Sequence, residues 1–257
     1  MTCWSKPAGH WGIAPGDALI MPSPVTHVSG YGNGLELPFI AGTRTILMEA
    51  WSATDAIALI ERHGVTGTVA ATPFLTELAV AAPWTGTKLP SLKFFACGGA
   101  AVPPDAIPAL NRAFAHCQAF RVFGSSEVSL VTLGCTAAAA EHLAATTDGT
   151  IVDYQVRIVD DNDRDVAAGS EGEIFARGPA MFLGYADWQQ TVEAITGDGY
   201  FRTGDIGRIT PEGAILITGR KKDLFIRGGE NISAKEIEDV LHNHPAVAEA
   251  AVAALIS

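Results

Sequence analysis

Asp205 closes the segment Tyr200-Phe201-Arg202-Thr203-Gly204-Asp205, and Arg220 stands in Gly219-Arg220-Lys221-Lys222-Asp223. An ionised aspartate can accept hydrogen bonds from both hydroxyls of a ribose, and a neighbouring arginine adds donors and positive charge. The arms GDIGRIT and GAILITGR flank Pro211-Glu212-Gly213, so a hairpin centred near Glu212 brings Asp205 beside Arg220. A nucleotide would then be held by its sugar. An exposed Asp–Arg pair also closes many ordinary hairpins and is worth little there.

Two earlier groups give the pair a context. In Phe94-Phe95-Ala96-Cys97-Gly98-Gly99-Ala100-Ala101 an apolar strand opens into two glycines, which lack a Cβ and let backbone approach a flat ligand. A plain strand-to-helix turn explains the same letters about as well. In Val122-Phe123-Gly124-Ser125-Ser126-Glu127 an aromatic ring, hydroxyls and a carboxylate follow a strand. Carboxylate and hydroxyls suit Mg²⁺ and phosphate, while the ring can stack on a base. Taken alone, this segment reads equally as a capped turn beside a core phenylalanine.

The elements that must position these groups follow from periodicity. Residues 36–50 read as buried strand or short helix broken at Gly42. Ser52 before Asp55, with Ile57, Ile60 and a Gly64 stop, marks a capped helix over 53–63, followed by a strand over 66–71. A helix near 73–82, a strand over 92–96, a helix opened by Pro104 with Ile107, Leu110 and Phe114 on one face, and a strand over 119–123 continue the rhythm. That alternation predicts a partly parallel α/β sheet. After residue 150 the pattern turns β-rich: Val152, Tyr154, Val156 and Ile158 alternate with polar neighbours, and strands are expected over 172–177 and 200–218. Beyond Lys221–Asp223, Ser233 and Glu236 form a capping-box pattern ahead of Ile237, Val240 and Leu241, and Val247–Ile256 reads as a strand cut from a larger sheet. The expected organisation is therefore an α/β part over 1–150, a β-rich part over 151–222 and the start of a small α/β lobe over 223–257.

Composition narrows the function. The net charge is −11 and the basic residues are scattered apart from Arg220-Lys221-Lys222, which argues against a nucleic-acid partner. No apolar run approaches the roughly 20 residues of a membrane-spanning helix, and Met1–Gly12 does not read as a secretory signal, so a cytoplasmic protein is expected. Cys3, Cys97, Cys117 and Cys135 are widely spaced, as buried free thiols would be.

Taken in order, GGAAV, FGSSE, GEIFARG followed by GY, YFRTGD and GRKKDLFIRGGENISAKEIE resemble the adenylate-forming superfamily, especially its acyl-CoA synthetases. Each pattern is modest; five in sequence are specific. The resemblance implies an incomplete large adenylate-forming domain followed by the beginning of its C-terminal lobe. It implies ATP and AMP as ligands, Mg²⁺, and CoA as co-substrate, with a fatty or alicyclic carboxylic acid activated as acyl-AMP and passed to CoA. A homodimer is the candidate assembly. By the same resemblance Gly98, Gly99 and Ala100 border adenine beside Gly124, and Phe123 stacks on it. Ser126 and Glu127 face phosphate and Mg²⁺, with Glu127 the metal ligand, while Asp205 and Arg220 hold the ribose. The family often has tyrosine at the place of Phe123 and threonine at that of Ser126, so binding is expected to weaken, not vanish. Pro24 and His27, in MPSPVTHVSGYGNG, resemble the segment lining the acyl pocket near the thioester-forming centre, whereas Trp4, Trp11 and Tyr31 fit core aromatics better. Asp223 matches the hinge about which the small lobe rotates, carrying Gly228 and Gly229 to the pantetheine channel.

Two family features have no counterpart here. One is a Ser/Thr/Gly-rich phosphate loop ending in lysine; Thr85-Gly86-Thr87-Lys88 has some of its letters but falls between a helix and a strand. The other is a lysine late in the small lobe, and neither Lys221, Lys222 nor Lys235 matches it. Losing a comparable oxyanion-stabilising donor typically costs about 2.7–4 kcal/mol, so these 257 residues alone are expected to be impaired in adenylation. The alternative expectation is a non-catalytic AMP-binding remnant or interaction module.

Overall fold

The computed structural model describes residues 5–253 apart from 87, 100, 101, 104, 115, 138–140, 228, 229, 243, 245, 248 and 249. Strands β1 (Ala18–Met21), β2 (Arg44–Leu47), β3 (Gly67–Ala71), β4 (Phe94–Gly98) and β5 (Gln118–Arg121) form a parallel sheet in the order β2-β1-β3-β4-β5. Its helices are α1 (Ser5–His10), α2 (Val28–Tyr31), α3 (Leu37–Ala41), α4 (Ala53–His63), α5 (Thr72–Thr85), α6 (Ala106–Ala113) and α7 (Glu141–Thr146).

Period-2 side-chain placement divides the strand residues between two cores. Phe95, Cys97 and Ala119 face Ile57, Ile60, Leu75, Leu78, Ile107 and Leu110 of α4, α5 and α6. Phe94, Ala96 and Phe120 face the opposite way, toward Trp11, Leu19 and Leu133. There Trp11 lies 5.8 Å from Phe94 and 6.3 Å from Phe120, centroid to centroid, and its indole N–H donates to the Leu133 carbonyl at 2.9 Å. Trp11 is thus a core aromatic, Tyr31 is exposed, and Trp4 lies outside the described residues.

The helix over 53–63 forms as expected. Ser52 is extended and its hydroxyl accepts from Asp55 N at 3.2 Å, while Gly64 ends the helix at φ 59°. Residues 36–50 resolve into α3, stopped by left-handed Gly42, and then β2. Cys97, Cys117 and Cys135 are buried free thiols, and burial pushes Cys97 up to about 11 and Cys117 up to about 12.

A second, antiparallel sheet follows, with strands β6 (Gln155–Val159), β7 (Gly172–Arg177), β8 (Phe201–Ile209) and β9 (Ile215–Arg220) in sequential order, and α8 (Trp188–Ala194) between β7 and β8. The expected run from Val152 is shorter than its alternation suggests. Asp153 takes φ 59°, which breaks extended backbone, so the strand begins only at Gln155. The second sheet shares a core with the loop after β5, where Phe123, Val128 and Val131 pack with Ile158, Ile174, Phe201 and Ile215.

The final portion holds hairpin β10 (Leu224–Arg227) and β11 (Glu230–Ser233), then α9 (Ala234–His242). Ser233 stands where a cap was expected, and its hydroxyl donates to the Thr218 carbonyl of β9 at 2.8 Å. The strand expected over 247–256 is not formed among the described residues 247 and 250–253. An extended segment becomes a strand only beside a neighbouring ladder; instead Val252 N donates to Glu238 Oε1 of α9 at 2.9 Å.

Candidate active site

Three chain segments that end at one place create the site. Strand β4 delivers Gly98 and Gly99, the loop after β5 delivers Phe123 to Glu127, and the β8–β9 hairpin delivers Asp205 and Arg220. A cavity of about 680 Å³ between them is bounded by Gly98, Gly99, Phe123, Gly124, Asp205, Arg220 and Asp223. A smaller cavity of about 270 Å³ adjoins it across Gly98, Gly99, Gly124 and Arg220, and is lined further by His27, Asn33, Ser126 and Glu127. Apart from Pro24, every described residue given a site role by sequence borders one of the two. Ala100, Gly228 and Gly229 lie outside the described residues.

The glycines serve two distinct needs. A Cβ on Gly98 would stand 2.5 Å from the Val122 carbonyl oxygen, while Gly99 holds φ 80° with open space around it. Gly98→Ala is accordingly expected to destabilise the fold by about 1–3 kcal/mol through overpacking between β4 and the segment after β5. A urea midpoint shifted at unchanged slope would show this, and an unshifted midpoint would contradict the close packing.

The hairpin brings Asp205 beside Arg220 as expected, and a register shift between Ile206 and Gly207 sets the two directly opposite, with Nε 3.0 Å from Oδ1. Asp205 is 6% exposed, while the Arg220 side chain is mostly open to solvent. Burial pushes the Asp205 carboxyl above the ordinary carboxylate value, helped by the Asp148 and Glu173 charges and opposed by Arg220.

Glu127 is held at both oxygens. The Tyr185 hydroxyl donates to Oε1 at 3.0 Å and the Ser125 hydroxyl to Oε2 at 2.8 Å. Burial and then the Glu127 carboxylate raise the Tyr185 hydroxyl above its usual range, keeping it a proton donor. Ser126 is exposed at the cavity wall. His27 caps α2, its Nδ1 accepting from Ser29 N at 3.2 Å. Phe123 lines the nucleotide-sized cavity but is only 6% exposed, packed among Val128, Val131 and Ile174, so little of its ring is open to a ligand. Lys88 is exposed between α5 and β4 and borders neither cavity.

Sequence reading missed four contributors. Tyr185 belongs to the Gly184-Tyr185 pair but is 58 residues from Glu127. Arg121 and Asp148, each 6% exposed, form a buried pair with Nη2–Oδ1 2.7 Å and Nε–Oδ1 2.9 Å; the other Asp148 oxygen accepts from Ile217 N at 2.8 Å, tying β5 to β9. A charge in the apolar run QAFRVF was the available signal, but nothing local names its partner. Asn33 is the fourth. A further cavity of about 690 Å³ opens elsewhere along β9, lined by Asp160, Glu173, Lys221 and Asp239. Carboxylates outnumber cations in its lining, whereas the two balance in the glycine-bordered cavity, which makes the latter the better nucleotide candidate.

Residues 1–186 match the family model described as AMP-binding enzyme. The chain is 35% identical over 249 residues to the medium-chain fatty-acid–CoA ligase of Escherichia coli (strain K12), covering 93% of this chain and 42% of that protein. It is 33% identical to the indoleacetate–CoA ligase of Aromatoleum aromaticum, covering 93% and 47%. Among solved structures, o-succinylbenzoate CoA synthetase (MenE) from Bacillus subtilis in complex with its acyl-adenylate intermediate OSB-AMP superposes with TM-score 0.84 at 28% identity, over 98% of this chain and 51% of that one. The chain spans about half the length of the relatives it matches. With its matched segment carrying both glycines, the Phe123–Glu127 loop and Tyr185, the chain belongs to the AMP-binding enzyme family.

Proposed function

We propose that this chain is the nucleotide- and acid-binding portion of an ATP-dependent acid–thiol ligase of the acyl-CoA synthetase type, acting on a fatty or alicyclic acid. The reading is carried by the Asp205–Arg220 pair beside the glycine-bordered cavity, with Glu127 and His27 at the adjoining one. Names of relatives as CoA ligases support it.

In this reading the Asp205 carboxylate accepts both ribose hydroxyls, and Gly98 and Gly99 let adenine lie against backbone. The residues present fit Mg²⁺: Glu127 is an oxygen donor with lone pairs left after its two hydrogen bonds, and no group of three or more His, Cys, Asp or Glu side chains suited to a caged metal occurs among the described residues. Mg²⁺ characteristically takes one or two carboxylates and completes its shell with waters and substrate phosphates. Glu127 would hold it, and it would supply charge neutralisation on the phosphates. Ser126 offers a hydroxyl donor to the same phosphates. A carboxylate oxygen of the acid then forms a bond to the α-phosphorus as pyrophosphate leaves, and the thiol sulfur of CoA later bonds to the acyl carbon as AMP leaves. We assign the small lobe to residues beyond a hinge at Asp223, which sits in a 3₁₀ turn at the edge of the nucleotide cavity. Among the described residues no helix is long and apolar enough to cross a membrane, and the free thiols fit a reducing cytoplasm.

Calorimetry on the 257-residue chain tests the reading: one saturable AMP site is expected. Absence of binding at millimolar AMP would sink it. AMP binding with no pyrophosphate release from ATP across a broad acid panel would favour the non-catalytic nucleotide-binding alternative. Tyr185→Phe should weaken Mg·ATP binding about three- to tenfold by loosening Glu127, while metal-free AMP binding stays unchanged. A loss of both together would show that Tyr185 merely supports the fold.

A further inference from the structure

We infer that the acid taken by the smaller cavity carries a hydrogen-bond donor, a hydroxyl or N–H on its acyl portion, which pairs with the side-chain oxygen of Asn33. The inference rests on the acyl-adenylate reading of the site and names its substrate class more narrowly than a plain alkyl or alicyclic acid.

Asn33 is 1% exposed, and its Oδ1 atom has no hydrogen-bond partner. Its amide orientation is fixed, because only the NH₂ end can donate to the Ser29 carbonyl, which lies 3.0 Å from Nδ2. The orphaned acceptor is therefore real chemistry at that place. Leaving a buried acceptor unpaired costs about 1–3 kcal/mol, and native proteins seldom keep one without a use.

Its position supplies the use. Asn33 lines the cavity shared with His27, Gly98 and Glu127, beside the nucleotide compartment. It also sits in the π-helical turn Gly32–Glu36 between α2 and α3. Such turns widen a helix locally, are costly, and concentrate at functional sites. A substrate donor reaching Oδ1 would satisfy the amide, whereas an acid with only C–H groups there would leave it unpaired. Sites built to bond a substrate hydroxyl discriminate against the analogue lacking it far better than apolar pockets discriminate by size.

The test uses acyl-sulfamoyl adenosines, stable mimics of the mixed anhydride, with AMP as reference. Calorimetry compares the benzoyl compound with its ortho, meta and para hydroxybenzoyl counterparts, and the cyclohexanecarbonyl compound with its 2-, 3- and 4-hydroxy counterparts, on the 257-residue chain. At least one hydroxylated isomer is expected to bind about tenfold or more tightly than its unhydroxylated parent. In Asn33→Leu that preference should fall below about threefold while binding of the parent is kept or improved, a gain that misfolding cannot produce. Normal AMP and parent binding with no isomer favoured in the native chain would overturn the inference, whatever the variant does, since water would then be serving Asn33. Failure of AMP itself to bind would instead overturn the nucleotide reading on which the inference stands.

Discussion

Asp205→Asn is expected to weaken AMP binding at least about 100-fold without loosening the fold. The carboxylate offers acceptors to two ribose hydroxyls, and hydrogen bonds to a charged group contribute about 1.5–3 kcal/mol each. The asparagine oxygen replaces one of them, and its NH₂ opposes the other. Stability moves differently. Burial raises the folded-state value of Asp205 above its ordinary 3.8, so between those two values the folded chain binds more protons than the unfolded chain. Ionisation of Asp205 therefore costs stability as pH rises through that window, and none of this cost is present below 3.8. Native and Asn variants should differ least in urea midpoint at the acid end, with the variant gaining relative to native as pH rises through the window. Binding has the opposite sign, because the diol selects the ionised form. AMP affinity of the native chain should strengthen across the same window and that of the variant should not. A variant binding AMP within about threefold of native would remove Asp205 from the ribose site.

Breaking the Arg121–Asp148 pair is expected to be the most destabilising single change near the site. Either Arg121→Met or Asp148→Asn leaves a charge that is almost fully buried without its partner, which typically costs about 3–5 kcal/mol. Asp148→Asn retains an oxygen for Ile217 N, so its cost reports chiefly on the stranded guanidinium. The double variant removes both charges, and its loss should be smaller than the sum of the single losses by about 0.5–3 kcal/mol. Urea unfolding of the four proteins closes the cycle. Strict additivity would mean that the pair does not act as a unit. The effect reaches function through geometry: β5 leads into the Phe123–Glu127 loop, while β9 ends at Arg220, and Asp148 touches both strands.

Much of the Asp205–Arg220 corner of the cavity was legible from sequence because its contacts are local. Pro211-Glu212-Gly213 fixes a hairpin turn that brings Asp205 near Arg220, but the turn's own register would set Asp205 opposite Gly219; a one-residue register shift between Ile206 and Gly207, not legible locally, sets it opposite Arg220. The Ser52 cap, the Gly64 stop and the apolar face of α6 were legible in the same local way as the turn. Order among five short motifs was enough to find the family. Tertiary structure alone decided what depends on chain segments meeting across long separations. Tyr185 reaches Glu127, Arg121 reaches Asp148, and Asn33 is left with an unpaired oxygen in a cavity wall. It also decided that the Phe123 ring is mostly enclosed, and that the described part of the apolar run after Val247 stays out of a sheet. Turns and caps are encoded by neighbours, whose closure entropy is small. A buried ion pair or an orphaned amide is defined by which distant surfaces pack together, and no window of adjacent residues specifies that.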